Sequence, residues 1–160
     1  MSARVSAVPA GYRTVTPDLA LRDAAQAIEF YKQAFGAREL MRFATPDGKI
    51  GHAEITIGDS IVMLCDEQPR GGCAAPASLH GTTVMLFLYV VDVDAAFERA
   101  VKAGATVVMP VADMFWGDRM GQVQDPFGHR WSLATHTEDL SPEQVKQRSR
   151  EFFAGMAKGK

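Results

Sequence analysis

A histidine and a glutamate two positions apart are the first residues in this sequence that could do chemistry. His52 and Glu54 lie in the segment GHAEI, which alternates polar and apolar residues as a strand does. Side chains two apart on a strand share a face, so the carboxylate could orient the imidazole for general acid–base catalysis. The alternation is equally typical of a polar, solvent-facing row, with Ala53 and Ile55 on the buried side. Two ligands alone would make only a loose metal site.

The segment MFWGDRMG, residues 114–121, holds a second group of candidates. Phe115 and Trp116 are large aromatic residues in an expected loop, where such residues usually close a pocket or an interface. Arg119 could hold an anionic ligand through its planar guanidinium group. The alternative is an internal polar network of Asp118 and Arg119 that pins the loop, with both aromatic side chains in the core.

Apolar periodicity and turn signals predict the order β-α-β-β-β twice along the chain. The first round comprises a strand at 15–21, a helix that begins after Asp23 and ends at Gly36, and strands at 39–43, 50–57 and 60–64. After a long connection rich in Gly, Pro and Ala, the second comprises a strand at 84–91, a helix at 92–103, and strands at 106–111, 120–124 and 129–134. Pro17 lacks a backbone donor, so its part of the first strand should be an edge or a bulge.

Equivalent residues of the two predicted β-α-β-β-β units are separated by a nearly constant number of positions. Asp23 and Asp92 are 69 positions apart, and Gly58 and Gly128 are 70 positions apart. Such an offset indicates an internal repeat. We therefore predict an α+β fold of two tandem βαβββ modules forming a concave mixed sheet, plus a C-terminal helix, because one module alone would bury too little apolar area.

The hollow of such a sheet, on the side away from the helices, is the expected ligand site. The repeat makes Gln122 and Gln124 the counterparts of His52 and Glu54, which places four polar side chains on equivalent faces. Aromatic residues of both modules are expected to line the same hollow: Phe43, Phe87, Tyr89, Trp116 and Trp131.

The C-terminal segment has a clear helix start. Ser141 is an N-cap residue, Pro142 suits the first helical position, and Gln144 completes a capping box. Val145, Phe152 and Met156, at spacings of seven and four residues, form an apolar stripe. This stripe should pack either on the same chain or on a second subunit.

Composition argues against several classes of partner. The formal net charge of −2 and the lack of a Lys/Arg run predict no nucleic-acid binding. No apolar stretch reaches the roughly 20 residues of a membrane span, and the first residues lack the apolar core of a signal peptide. Cys65 and Cys73 form no CxxC motif, so we expect two reduced thiols in a cytoplasmic protein.

Five segments together resemble the vicinal-oxygen-chelate superfamily, and within it the PhnB-like, glyoxalase-like proteins. They are AIEFYKQAFGA, GHAEITIGDSIVMLCDE, YVVDVDAAFERAVKAGATVVMP, FWGDR and DPFGHRWSLATH. The superfamily includes glyoxalase I, extradiol dioxygenases, fosfomycin-resistance enzymes and bleomycin-resistance proteins. The resemblance implies a glyoxalase-like fold and a homodimer. It covers about residues 11–140 as a single domain, with modules at about 13–66 and 83–136, followed by the helix at 141–157.

The resemblance also implies where a divalent metal would bind, in the first and last strands of each module. The repeat places Thr16, Val62, Met85 and Ser132 at those positions. Hard divalent cations prefer carboxylates, imidazoles and water, so none of the four is a competent ligand. We therefore predict no metal and no other cofactor.

Three functions remain open. The first is a bleomycin-resistance-like protein that binds a small aromatic or amphipathic molecule without the usual metal. The second is a lyase or isomerase that uses His52 and Glu54 as an acid–base pair, and the third is a metal-dependent glyoxalase or dioxygenase. The residues expected to contact the ligand are Phe87, Tyr89, Phe115, Trp116, Arg119, Gln122 and Gln124.

Overall fold

The computed structural model of the chain describes residues 5–68 and 71–158. The first module comprises β1 (Asp18–Leu21), α1 (Ala24–Phe35), β2 (Arg38–Ala44), β3 (Ile50–Ile57) and β4 (Ser60–Asp66). A short helix, α2 (Pro76–Leu79), lies in the connection between the modules. The second module comprises β5 (Met85–Tyr89), α3 (Val93–Ala103), β6 (Thr106–Asp113), β7 (Asp118–Gln124) and β8 (Arg130–His136). The chain continues into α4 (Pro142–Lys158).

Each module forms one four-stranded mixed sheet, which confirms the predicted fold class. The strand orders are β1-β4-β3-β2 and β5-β8-β7-β6, with the first two strands of each order parallel and the others antiparallel. α1 and α3 pack against each other on one side of the sheets. The edges β1 and β5 face each other across a cleft. The sides of both sheets that point away from α1 and α3 are called the open face below.

The two main helices begin and end in the same way, as their sequence signals predict. The carboxylate of Asp23 accepts the backbone N–H of Gln26, and the carboxylate of Asp92 accepts that of Ala95. Both caps satisfy donors that the first helical turn leaves free. Each helix ends at a glycine in the left-handed conformation. This conformation is energetically less favourable for residues that have a β-carbon than for glycine.

A buried carboxylate joins the two modules. Asp125, in the turn between β7 and β8, accepts the hydroxyl of Tyr31 at 2.8 Å and the indole N–H of Trp131 at 3.0 Å. Trp131 is 3% exposed, and its ring packs against Phe35 with centroids 4.6 Å apart. The prediction that Trp131 lines the ligand hollow is therefore wrong, because this position of β8 faces the helices.

The hairpins that close the two modules differ in length. Ile57 pairs with Ser60, which leaves a turn of two residues between β3 and β4. Gln124 pairs with Arg130, which leaves five residues between β7 and β8. A constant offset across these turns therefore cannot match the strand residues correctly.

The longer hairpin corrects two expected correspondences. Glu54 lies opposite Met63, and Gln122 lies opposite Ser132. Gln122 is therefore the counterpart of Glu54 rather than of the histidine two residues before it. Val62 is 5% exposed and faces α1, so Met63 occupies the open-face position equivalent to Ser132.

The starts of two strands differ from the sequence-based expectation by two residues or more. β1 begins only at Asp18, because Pro17 has no N–H to donate to a neighbouring strand. β7 begins at Asp118, so Asp118 and Arg119 belong to a strand rather than to a loop. Because neighbouring residues of a strand point to opposite sides, these two side chains cannot form one network.

The C-terminal helix has the predicted capping box. The Ser141 hydroxyl accepts the N–H of Gln144, and the Gln144 side chain accepts the N–H of Ser141. The rings of Phe152 and Phe153 pack against Phe115 at centroid distances of 5.3 and 6.0 Å. Within the described part of the chain, no helix combines the length and apolarity that a membrane crossing requires.

Candidate functional site

The open face carries apolar side chains that the chain itself leaves uncovered. Phe43 is 60% exposed, Phe87 48% and Tyr89 61%. The rings of Phe87 and Tyr89 lie 5.0 Å apart, centroid to centroid. Exposed aromatic residues that adjoin one another typically mark a ligand site or an interface.

Methionines lie on this side of both sheets, where Met41 and Met85 extend the exposed apolar surface and Met120 is buried. By strand pairing, all five methionines of the described strands point to the open face: Met41, Met63, Met85, Met109 and Met120. The flexible, polarisable thioether adapts to irregular or varied ligand shapes. The open face is therefore suited to an apolar or aromatic molecule.

The first polar group on the open face is the pair His52 and Glu54. The His52 Nε2 atom lies 3.1 Å from Oε1 of Glu54, which is 6% exposed. A hydrogen bond from the Tyr12 hydroxyl, assisted by His52, lowers the pKa of Glu54 despite the opposing effect of burial. The Phe43 ring stacks near the imidazole with centroids 6.4 Å apart. This arrangement keeps an ionised carboxylate against an accessible imidazole, as a general base requires.

A second polar group, which the sequence did not predict as a unit, lies on β7 and β8. Asp118 is 3% exposed and accepts three hydrogen bonds: from the Tyr89 hydroxyl at 3.1 Å, the Trp116 indole at 2.9 Å and His136 Nδ1 at 2.8 Å. Burial raises the pKa of Asp118, but hydrogen bonds from His136, Trp116 and Tyr89 outweigh it and lower the pKa. Asp118 and His136 are directly opposed across the two strands.

His136 is the functional candidate that sequence reasoning missed. Its imidazole is about half exposed, and its Nε2 atom lies 3.0 Å from the carboxylate of Asp139. Hydrogen bonds to Asp118 and Asp139 raise the pKa of His136. The signal was the alternation of β8, because His136 is four residues beyond Ser132 and so shares its face.

The structure places Arg119 away from the other expected contact residues. Its guanidinium group binds Asp94 at 2.8 Å and Asp113 at 3.0 Å on the helix side of the sheet. The guanidinium group that could have held an anionic ligand is thus already paired with two carboxylates of the same chain. Phe115 packs on α4 and on the Trp116 ring, 4.9 Å away, at the edge of the open face.

Gln122 and Gln124 are both half-buried, but they have different surroundings. Gln122 lies on the open face opposite Ser132 and Met109. Gln124 lines a cavity of about 400 Å³ beside α2, together with His80. A further cavity of about 650 Å³ lies between the modules and is lined by Asp18, Ala20, Leu79, Thr83 and Val84.

The residues at the metal positions of the superfamily do not fit a hard divalent cation. With the corrected register these positions carry Thr16, Met63, Met85 and Ser132, and the Ser132 hydroxyl donates to the Met85 sulfur at 2.8 Å. Thioethers are soft ligands, and a hydroxyl group binds such ions weakly. Among residues 5–68 and 71–158, no three His, Cys, Asp or Glu side chains converge as a metal site would need.

Known proteins match this chain over most of its length. The profile of the Glyoxalase/Bleomycin resistance protein/Dioxygenase superfamily matches residues 13–133. An uncharacterised protein of Mycobacterium bovis is 47% identical over 135 residues, which are 82% of this chain and 89% of that protein. Together with the repeated βαβββ order, these matches identify the evolutionary family.

Solved structures agree with this assignment. TioX from Micromonospora sp. ML1 is 33% identical and superposes with a TM-score of 0.63, covering 78% of this chain and 98% of TioX. The PhnB protein from Bacillus cereus has a TM-score of 0.60 and covers 77% of this chain and 99% of its own. At 18% identity, the second likeness shows the fold alone. The chain belongs to the glyoxalase/bleomycin resistance protein/dioxygenase superfamily.

Proposed function

We propose that this protein binds a small aromatic or amphipathic molecule on its open face, without a metal at the positions that the superfamily uses. The observation that carries the proposal is the exposed apolar surface of Phe43, Phe87 and Tyr89 beside a few polar groups. Ligand sites typically combine an apolar lining with a small number of placed polar side chains. His52 and Gln122 would supply the polar contacts.

A second copy of the chain is the proposed partner. The exposed rings of Phe43, Phe87 and Tyr89 favour a covered face, since monomers rarely expose large contiguous apolar patches. A homodimer would cover its margins and enclose the ligand between two chains. We also propose a cytoplasmic location, which the two free thiols support.

Binding is tested with the dye 1-anilinonaphthalene-8-sulfonate, an amphipathic aromatic anion, by isothermal titration calorimetry. We expect saturable binding that weakens at least fivefold in Phe87→Ala and Tyr89→Ala. Val101→Ala, at an exposed apolar position on α3, is the matched control and should bind as the parent does. Equal affinity in all variants would contradict the site. Near-ultraviolet circular dichroism of each variant shows whether its fold is intact.

The second candidate is a lyase or isomerase, favoured by the buried Glu54 that holds His52. Such a dyad could remove a proton next to a carbonyl group. The test is deuterium incorporation from D₂O beside the carbonyl of small 2-oxo acids, followed by proton NMR. Exchange that disappears in His52→Gln, with the melting temperature unchanged, would support catalysis. Equal exchange in parent and variant would exclude this role.

The third candidate, a metal-dependent glyoxalase or dioxygenase, gains no support from the donor chemistry. Elemental analysis of the purified protein tests this directly. A divalent ion at one equivalent per chain, lost together with thermal stability on chelation, would overturn the proposal of metal-free binding.

A further inference from the structure

Two cysteines that are eight positions apart meet at the side of the open face. Cys65 lies on β4 beside Ala20 of β1, and Cys73 lies in the connection that follows β4. Their sulfur atoms are 3.7 Å apart, and both thiols are free. The backbone N–H of Gln68 donates to the carbonyl of Cys73, and the N–H of Cys73 donates to the carbonyl of Gln68. These two hydrogen bonds bring the chain back beside the end of β4.

The connection that carries Cys73 touches both modules. Glu67 accepts the N–H of Ala75 and the hydroxyl of Ser78, which fixes α2 to the end of β4. Pro76 of α2 packs closely on Gly128 in the second module. Ala74, Pro76 and Leu79 also line the 650 Å³ cavity between the modules. The sulfur pair therefore stands where the connection leaves the first sheet and begins to cover this cavity.

We propose that Cys65 and Cys73 form a reversible intramolecular disulfide that fixes the connection against β4. A disulfide needs its sulfur atoms at about 2.05 Å, so the pair must close by less than 2 Å. Gly72, directly before Cys73, has a φ of 80° and gives the chain the freedom for this small movement. The proposal stands independently of the ligand that the open face binds.

A hydroperoxide, such as hydrogen peroxide, is the oxidant. Cys73 attacks one peroxide oxygen as a thiolate, the O–O bond breaks, and a sulfenic acid and one water form. Cys65 then attacks the sulfenic sulfur, the S–S bond forms, and the departing hydroxide takes the Cys65 proton and leaves as a second water. Two thiols are thus oxidised while one peroxide is reduced to two waters. Burial and the neighbouring Cys73 raise the pKa of Cys65 to about 12, and a thiol that seldom ionises reacts slowly with peroxide, so we assign Cys65 to the second step.

Arg70 lies between the two cysteines, so cleavage by trypsin after this residue releases each cysteine in a separate peptide. The full chain is treated with hydrogen peroxide, alkylated, digested with trypsin and analysed by mass spectrometry. We expect the two cysteine peptides to be joined, with a mass lower by two hydrogen atoms, and to separate after treatment with dithiothreitol. Joined peptides should stay constant in yield on dilution of the protein, as an intramolecular bond requires.

Single variants separate the two steps. Cys65→Ser should leave a Cys73 sulfenic acid that dimedone traps, whereas Cys73→Ser should react with peroxide at least tenfold more slowly than the parent. Unlinked peptides in the oxidised parent, or linkage only between chains, would overturn the proposal. Equal peroxide reactivity of both variants would overturn the assigned order of steps.

Discussion

At the residue scale, individual polar side chains stabilise this fold through hydrogen bonds that the amino-acid composition does not reveal. Asp125 binds groups from two modules, and Asp118 binds three donors on the open face. The sequence predicted that His52 and Glu54 share a face, since that depends only on local alternation. It could not predict the partners of Arg119, because Asp94 is 25 positions away and meets it only through packing of α3.

Removing the Tyr31 hydroxyl should destabilise the fold. In Tyr31→Phe, the buried Asp125 loses one of its donors, and we expect the free energy of unfolding to fall by about 1–3 kcal/mol. Urea denaturation followed by circular dichroism measures the change. Lys102→Ala, at an exposed position of α3, serves as the control and should change stability by less than about 0.5 kcal/mol. A Tyr31→Phe variant as stable as the parent would contradict the role of this bond.

His136 should make stability depend on pH. Its pKa is raised in the folded state, so its stabilising contribution is complete below the unfolded value of about 6.5 and disappears as pH rises through the folded value. The difference in unfolding free energy between the parent and His136→Gln should therefore shrink from pH 6 towards pH 9. Denaturation at several pH values measures it, and NMR titration of the imidazole gives its pKa. A difference that does not vary with pH would contradict the two carboxylate contacts.

At the element scale, helices were predicted better than the faces of strands. α1 and α3 follow from capping residues and terminal glycines, which are local signals. Trp131 adjoins Ser132 on β8 and so points to the opposite side, which the sequence-based prediction overlooked. The repeat offset taken across the preceding hairpin matched Ser132 with Val62 instead of Met63. The meeting of Cys65 and Cys73 likewise depends on how an irregular connection returns to its strand.

Gly121 sets the distance between α3 and its sheet. A β-carbon at this position would lie 2.7 Å from the Phe97 ring and 2.9 Å from Val111. We expect Gly121→Ala to reduce the free energy of unfolding by about 1–3 kcal/mol because α3 must move. Gly155→Ala on α4, where a β-carbon meets no atom within 4 Å, is the matched control and should be neutral or stabilising. Chemical denaturation of both variants decides the outcome.

At the scale of the whole molecule, duplication explains the main architecture. The sequence repeat predicted two modules, and the two four-stranded sheets of the same strand order agree with it. The shared ligand face stays a prediction. The occupant of that face could not be predicted, because substrate identity depends on a few side chains rather than on the fold. The apolar residues left exposed on it are the strongest indication of a second copy.

A charge on the open face should disrupt the proposed dimer. We expect Phe87→Asp to shift the proposed dimer towards monomer, since burying an unpaired carboxylate is costly. Analytical ultracentrifugation over a range of concentrations measures the shift. Val101→Asp, on the helix side, should sediment as the parent does. A dimer that tolerates the charge at position 87 would place the subunit contact elsewhere.

The extra residues of the hairpin between β7 and β8 make the two halves of the molecule unequal. Asp125, which clamps the helix of the first half, sits in those residues, and the shorter hairpin of the first half has no room for an equivalent. A chain made of two copies of the first module would therefore lack this contact. A circular permutant in which the second module precedes the first would retain it. The second half thus supplies this contact between the halves by itself, beside the packing of α1 on α3.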